Sequence, residues 1–319
     1  MLFSTFDSKF TMSNFVNSIL MIRPSSFRMN VETAVNNFFQ KADKELVNKK
    51  LILKDALIEF DDLVEKIKSC GFKVHVFQDD LENDTPDSIF PNNWITFHSR
   101  KKLALYPMFA KNRRLERNEQ VIKYLEKKKL IFKDIIDYSS AENDGLFLEG
   151  TGSMVLDRLN RKAYCSISER TNEILVDEFC EDFNYLPIIF KSFHNFRDDR
   201  LPIYHTNVMM CIANDYCIIC LESIDDKSSK VNICRSLIDD NKEIIEISEK
   251  QLESFSGNMI ELINEKGSFL FMSQSAYNAL NKNQIIKIEK YSKIIYSSVN
   301  IIEKCGGGSV RCMIAEIFN

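Results

Sequence analysis

Hydrophobic and polar positions change period many times along the 319-residue chain, and each change marks a short element. Residues 17–22 form an apolar run that Arg23-Pro24 stops, which predicts a strand and then a loop. From Asn37 to Ile67 apolar residues recur at helical spacing among Lys and Glu, predicting one or two helices that end at Cys70-Gly71. Phe72 to Phe77 alternates as a strand, Gln78 to Pro86 is an acidic loop, and Leu103 to Tyr106 is a strand before a charged helix over 112–127. The theme repeats. A strand-like stretch over 129–137, a hairpin of 154–156 with 162–166, a helix over 173–183 and a strand over 185–193 follow. So do strands at 208–213 and 216–221, a helix at 230–239, a strand at 243–247 and a helix at 251–255. A strand at 268–272, a helix at 276–288 and a strand at 293–296 complete the pattern, and polar residues 191–200 read as a loop that could close over a site. Short strands plus one helix thus recur roughly every 50–65 residues, which suggests a propeller-like array of repeated units rather than a doubly wound sheet.

Composition narrows the class. Hydrophobic residues make up 45% and charged ones 28%, enough for a large core, and the net charge of −4 with interspersed signs speaks against a nucleic-acid partner. No apolar run approaches the roughly 18 residues of a membrane span. Residues 1–16 read as an N-terminal extension without a secretory pattern, with Met1 or Met12 as alternative starts, and the remaining length suits one large domain or two ordinary ones. Nine cysteines at irregular spacing, without a Cys-x-x-Cys pair, and four scattered histidines indicate neither a disulfide framework nor a metal site. Reduced thiols imply a cytoplasmic setting. Neither a dinucleotide-binding glycine motif nor a P-loop is present.

Candidate chemistry begins at Gly306-Gly-Gly-Ser-Val-Arg-Cys312. Three glycines allow close approach of backbone to a small molecule, and Cys312 beyond them is a candidate nucleophile. A buried structural cysteine is the plainer alternative. A nucleophilic thiol needs an acid/base, and His205, at the irregular entry to an apolar strand, is better placed than His75, His98 or His194. Glu149 leaves an apolar stretch at a Gly-Thr-Gly turn, where burial is expected to raise its pKa and make it a proton acceptor. Phe90-Pro-Asn92-Asn93-Trp94 sets two neutral amides side by side. Amides both donate and accept, which suits a ureido or amide group better than a cation, although Pro-Asn-Asn is also ordinary turn chemistry.

In chain order, Met21-Ile-Arg-Pro24, Pro86-Asp-Ser-Ile-Phe-Pro-Asn-Asn93, Leu148-Glu-Gly-Thr-Gly152, Ser168-Glu-Arg-Thr-Asn172, His205-Thr-Asn207 and Gly306 to Cys312 resemble the motifs of the guanidine-modifying, or pentein, superfamily. That resemblance covers about residues 17–319 and implies an α/β fold, a single catalytic domain built as a five-bladed propeller of pseudo-fivefold ββαβ-type repeats with a central substrate tunnel. It implies Cys312 as nucleophile, His205 as acid/base and Glu149 as the carboxylate positioning His205 or a substrate nitrogen. Arg170 would face the substrate's α-carboxylate, a task suited to a guanidinium, and Asn258 is a further site position. Where arginine-processing members carry carboxylates, this chain has Asn92, Asn93 and Asn207, and a buried guanidinium without a counter-charge is costly. The chain therefore looks most similar to the citrulline-utilising branch, the citrulline ureidases. Expected is hydrolysis of L-citrulline to ornithine, carbon dioxide and ammonia, without metal or organic cofactor. A guanidino-substrate hydrolase, with Asp87 or Glu149 supplying the charge, is the nearest rival, and a non-catalytic binding propeller is a third reading. Oligomeric state, a homo-oligomer included, is left open.

Overall fold

Each predicted unit resolves into a hairpin, a helix crossing over it, and a third strand returning parallel to the second. A computed structural model describes residues 15–16, 18–40 and 48–318. The proposed extension and the choice of start codon therefore lie almost wholly outside the described residues. Ile95–His98 pairs antiparallel with Lys102–Leu105, which lies parallel to Asp134–Asp137. The same pattern joins Met154–Asp157, Lys162–Ser166 and Leu186–Phe190, and again Met210–Ile212, Tyr216–Ile219 and Glu243–Glu246. A fourth sheet is built from Ile260–Asn264, Gly267–Ser273 and Lys293–Ser297. The fifth joins the two ends of the chain: Ala315–Ile317 is antiparallel to Ser18–Arg23, which is parallel to Val74–Gln78. The chain is a mixed α/β protein.

Local chemistry explains the crossovers. Asn172 caps the helix Glu173–Phe183 by accepting from Ile174 N, and the apolar stripe Leu175, Val176, Phe179 and Phe183 is buried. Asn48 likewise caps Lys49–Ser69, which buries Ile52, Ala56, Phe60, Leu63, Val64 and Ile67 against the end-joining sheet. The helical spacing over 37–67 misleads at its start. Residues 31–40 form turns whose amides reach inward, residues 41–47 of that stretch lie outside the described residues, and the described helix is Lys49–Ser69. The charged helix over 112–127 is two pieces, Lys111–Arg114 and Glu119–Lys127. Ile260–Asn264, too mixed in polarity to stand out, is a strand. Residues 191–200 are no open loop. Phe193–Phe196 pairs with Asp199–Pro202, and Arg200 ties this hairpin to Asp225 and Glu249.

One feature of the repeat positions the site. The first strand of each three-stranded sheet is preceded by a tight turn: Pro91–Asn93, Gly150–Ser153, Thr206–Met209, residues 255–258 and Val310–Met313. Hydrogen bonds bring these turns together: Asn92 with Thr151, His205 with Glu149, and Asn258 with both the Asn207 carbonyl and Cys312.

Candidate active site

The turn before each first strand contributes a candidate residue: Asn93, Glu149, His205, Asn258 and Cys312. The backbone explains why these turns tolerate no bulk. Gly150 adopts φ +46° with a would-be Cβ 2.3 Å from the Asn92 carbonyl, and a Cβ on Gly152 would stand 2.5 Å from Asn93 Nδ2 and 2.7 Å from the His205 ring. The glycine run behaves similarly. Gly307 is left-handed at φ +63° and ends the helix Asn300–Gly306, its carbonyl accepting from Tyr204 Oη at 2.5 Å. Gly306 and Gly308 press on the Phe90 ring and line the pocket with Cys312.

Around the thiol the arrangement is polar. Asn258 Nδ2 lies 3.3 Å and Asn207 Nδ2 3.5 Å from Cys312 Sγ. Asn258 cannot be turned round, because its Oδ1 accepts from the Arg311 backbone N–H at 3.1 Å. Two amide N–H groups are thus aimed at the sulfur. All nine cysteines are free, Cys305 and Cys312 included.

His205 Nε2 donates to Glu149 Oε2 at 2.8 Å, which leaves Nδ1 to exchange a proton with a ligand. Burial, with help from Arg170 and Arg113, pushes the imidazole down to about 4 even though Glu149 pulls the other way. His205 is therefore neutral at physiological pH. For Glu149 the expectation of a raised pKa is reversed. Burial does raise it, but Arg170, the His205 hydrogen bond and Arg113 together outweigh burial and hold the carboxyl well below the usual range. Glu149 is an anion that orients His205 and accepts from Phe109 N–H, and it is not a proton acceptor.

Arg113, hidden in the sequence as one charge of an ordinary helix, is the cation the motif reading missed. It is buried, donates twice to Glu116 at 2.9 Å, and its Nη1 donates to Asn93 Oδ1 at 2.8 Å. Asp87 and Glu149 lie 3.8 Å away. The i,i+3 spacing of Arg113 and Glu116 is its one local signal. Arg170 is held by Asn36 and the Thr33 carbonyl, lies over the Tyr204 ring at 4.8 Å, and approaches Glu149 at 3.5 Å. Asp87 is buried. Its Oδ2 accepts from Asn30 and Thr33, its Oδ1 has no partner among the described residues, and burial pushes its pKa up against Arg113.

The narrow pocket itself is lined by Asn93, Arg113, Arg170, Asp87, His205 and Cys312, together with Thr33, Asn37, Phe90 and Tyr204. Asn207 and Asn258 touch the thiol from beneath it. Asn92 lies beside it, donating to Thr151 Oγ1 at 3.2 Å and bracing the Gly-Thr-Gly turn. Glu149 meets the pocket through His205 and the two arginines.

The sequence pattern of the family described as N,N dimethylarginine dimethylhydrolase, eukaryotic, matches residues 23–319. No curated protein matches the chain by sequence. Among solved structures, the product-bound N-terminal domain of ArgZ, an arginine dihydrolase of the ornithine-ammonia cycle in cyanobacteria, shares 17% identity at a TM-score of 0.72, covering 95% of this chain and 97% of that one. Against the longer apo ArgZ chain the coverage is 95% of this chain but only 40% of that one, with 17% identity and a TM-score of 0.70. A variant dimethylarginine dimethylaminohydrolase, solved as an adduct with S-methyl-L-thiocitrulline, is 14% identical at a TM-score of 0.64, covering 95% and 100%. These likenesses establish a shared fold, and the family match extends over nearly the whole chain. The chain belongs to the N,N dimethylarginine dimethylhydrolase family within the pentein, guanidine-modifying superfamily, and is a hydrolase acting on carbon–nitrogen bonds.

Proposed function

We propose that the protein hydrolyses the ureido group of L-citrulline to ornithine, carbon dioxide and ammonia. The observation that carries this reading is the orientation of Asn93. Its Oδ1 is engaged by Arg113, so its Nδ2, which has no partner among the described residues, is a fixed N–H donor beside His205. A ureido oxygen accepts such a bond, whereas a guanidinium carries only donors and would meet it head-on.

The steps balance on these residues. His205 Nδ1 takes the Cys312 proton and the thiolate attacks the ureido carbon, with negative charge on the ureido oxygen answered by Asn93. The substrate's side-chain nitrogen leaves as ornithine after receiving the proton from His205, and Cys312 keeps a carbamoyl group. Water, deprotonated by His205, attacks that carbonyl and expels the thiolate. The carbamic acid released breaks down to carbon dioxide and ammonia. Arg170 holds the α-carboxylate, and the free Oδ1 of Asp87 accepts from the α-amino group. The residues expected to carry these roles are those of the sequence reading, with Arg113 added and Asn92 reduced to a brace. The five like sheets support a five-bladed propeller over 17–319, closed where the strand before the C-terminus pairs with the first.

Asp87 also favours a second reading. An unpartnered buried carboxylate oxygen can accept from a guanidinium, and the solved relatives include an arginine dihydrolase and a mutant AgrE bound to L-arginine. Purified protein incubated separately with citrulline and arginine separates the two. Ornithine and ammonia from citrulline are expected. Ammonia from arginine, with citrulline idle or accumulating, would leave the guanidino hydrolase.

A further inference from the structure

Away from the active site, the far ends of two sheets form an open cavity of about 440 Å³. Its walls come from the turn after Ile95–His98, the turn after Met154–Asp157, the end of the helix Glu173–Phe183, and Phe318. Met154–Asp157 starts at the active-site turn and ends at this cavity, so at about 3.3 Å per residue the two are separated by roughly 13 Å of strand.

The cavity is basic in a protein whose net charge is −4. Arg100, Lys102, Arg158 and Arg161 line it, against one carboxylate, Asp182, which already accepts from Tyr138 Oη at 2.6 Å. Arg158 has a loose partner in Glu316 at 3.8 Å, while Arg100 and Lys102 make no ion pair among the described residues. Arg161 is pre-set: its guanidinium donates to the Phe183 and Asn184 carbonyls and lies 4.0 Å over the Tyr185 ring. Burial first, and then Arg158, Arg161 and Lys102, hold His98 neutral at the cavity's inner edge. Tyr185 supplies the second, independent sign. It is only 7% exposed, yet its hydroxyl has no partner among the described residues. A buried hydroxyl left unpaired is costly, and the residue that carries this one lines the basic cavity, so an acceptor bound there would relieve it.

We infer that this cavity is a binding site for a compact, multiply charged phosphate. Tyr185 has Arg161 on its ring and Phe179 stacked at 5.7 Å, so it offers its hydroxyl and no open face for a nucleobase. Four cations around one hydroxyl donor match phosphate oxygens, which accept several charge-assisted bonds at once. The site takes a diphosphate or small phosphate ester and involves none of the residues assigned to hydrolysis.

Inorganic pyrophosphate titrated calorimetrically into the full-length protein at constant ionic strength tests this. Saturable one-to-one binding is expected. Arg100→Asn with Lys102→Gln should weaken it at least tenfold; Asn tolerates the left-handed turn at Arg100 (φ +63°), so the hairpin survives. Tyr185→Phe, which leaves every charge in place, should weaken binding several-fold. Absence of saturable binding at millimolar pyrophosphate, equal binding by the double variant, or binding of citrate in preference to pyrophosphate would overturn the assignment.

Discussion

Asn93→Asp tests the substrate reading at its most specific point. The replacement is isosteric, and the oxygen bonded to Arg113 Nη1 at 2.8 Å is retained and strengthened by charge. The other atom changes from an N–H donor to an anionic acceptor, directed at the same place beside Gly152 and His205. For a ureido substrate one hydrogen bond is lost and its oxygen then faces a lone pair. Leaving a buried polar group without its partner costs about 1–3 kcal/mol, a factor of about 5–150 in equilibrium terms. Because negative charge grows on that oxygen during attack, the loss should fall on kcat more than on KM. The assay is ornithine release from citrulline and, in parallel, ammonia release from arginine, with a thermal melt confirming folding. Citrulline turnover should fall at least tenfold, and any arginine turnover should rise relative to it. Unchanged citrulline hydrolysis in the variant would refute the role given to Nδ2.

Three further outcomes follow from the same geometry. Cys312→Ser should abolish turnover while leaving the melting temperature close to that of the parent, because the hydroxyl can still accept from Asn258 and Asn207; residual turnover of parental size would remove the thiol from the chemistry. Gly152→Ala should be nearly inactive, since its methyl group would stand 2.5 Å from Asn93 Nδ2 and 2.7 Å from His205, and steady-state kinetics on the folded variant checks it. Finally, kcat/KM should hold steady near neutrality and drop as pH falls through about 4, where His205 gains a proton and can no longer accept one. An unfolded histidine binds that proton near 6.5, so between 6.5 and 4 the unfolded chain holds more protons and stability declines as pH falls. A shift from 6.5 to about 4 corresponds to about 3 kcal/mol, and the pH dependence of urea unfolding should flatten in His205→Gln.

The sequence by itself determined the repeating strand and helix units, the reduced cysteines and the order of the motifs. Period, caps and breakers are local, as Asn172 shows by capping a helix whose ends match the pattern, Glu173–Phe183. It also singled out Cys312, His205, Arg170 and, paired with Asn92, Asn93; glycines before Cys312 and Pro91 before Asn93 mark turns there. Only the tertiary structure decided how those turns meet. Arg113 looks like any helix charge until the fold brings Asn93 and Asp87 of its own unit, and Glu149 of the next, around it. The Glu149 pKa could not be read locally either: burial alone points upward, and the groups that reverse it, Arg170, His205 and Arg113, arrive from elsewhere in the chain. Asn92 and Asn93 are identical in composition and adjacent in sequence, yet one braces Thr151 while the other presents a donor to the pocket. The direction of an amide is set by what its oxygen meets, and that partner belongs to the fold.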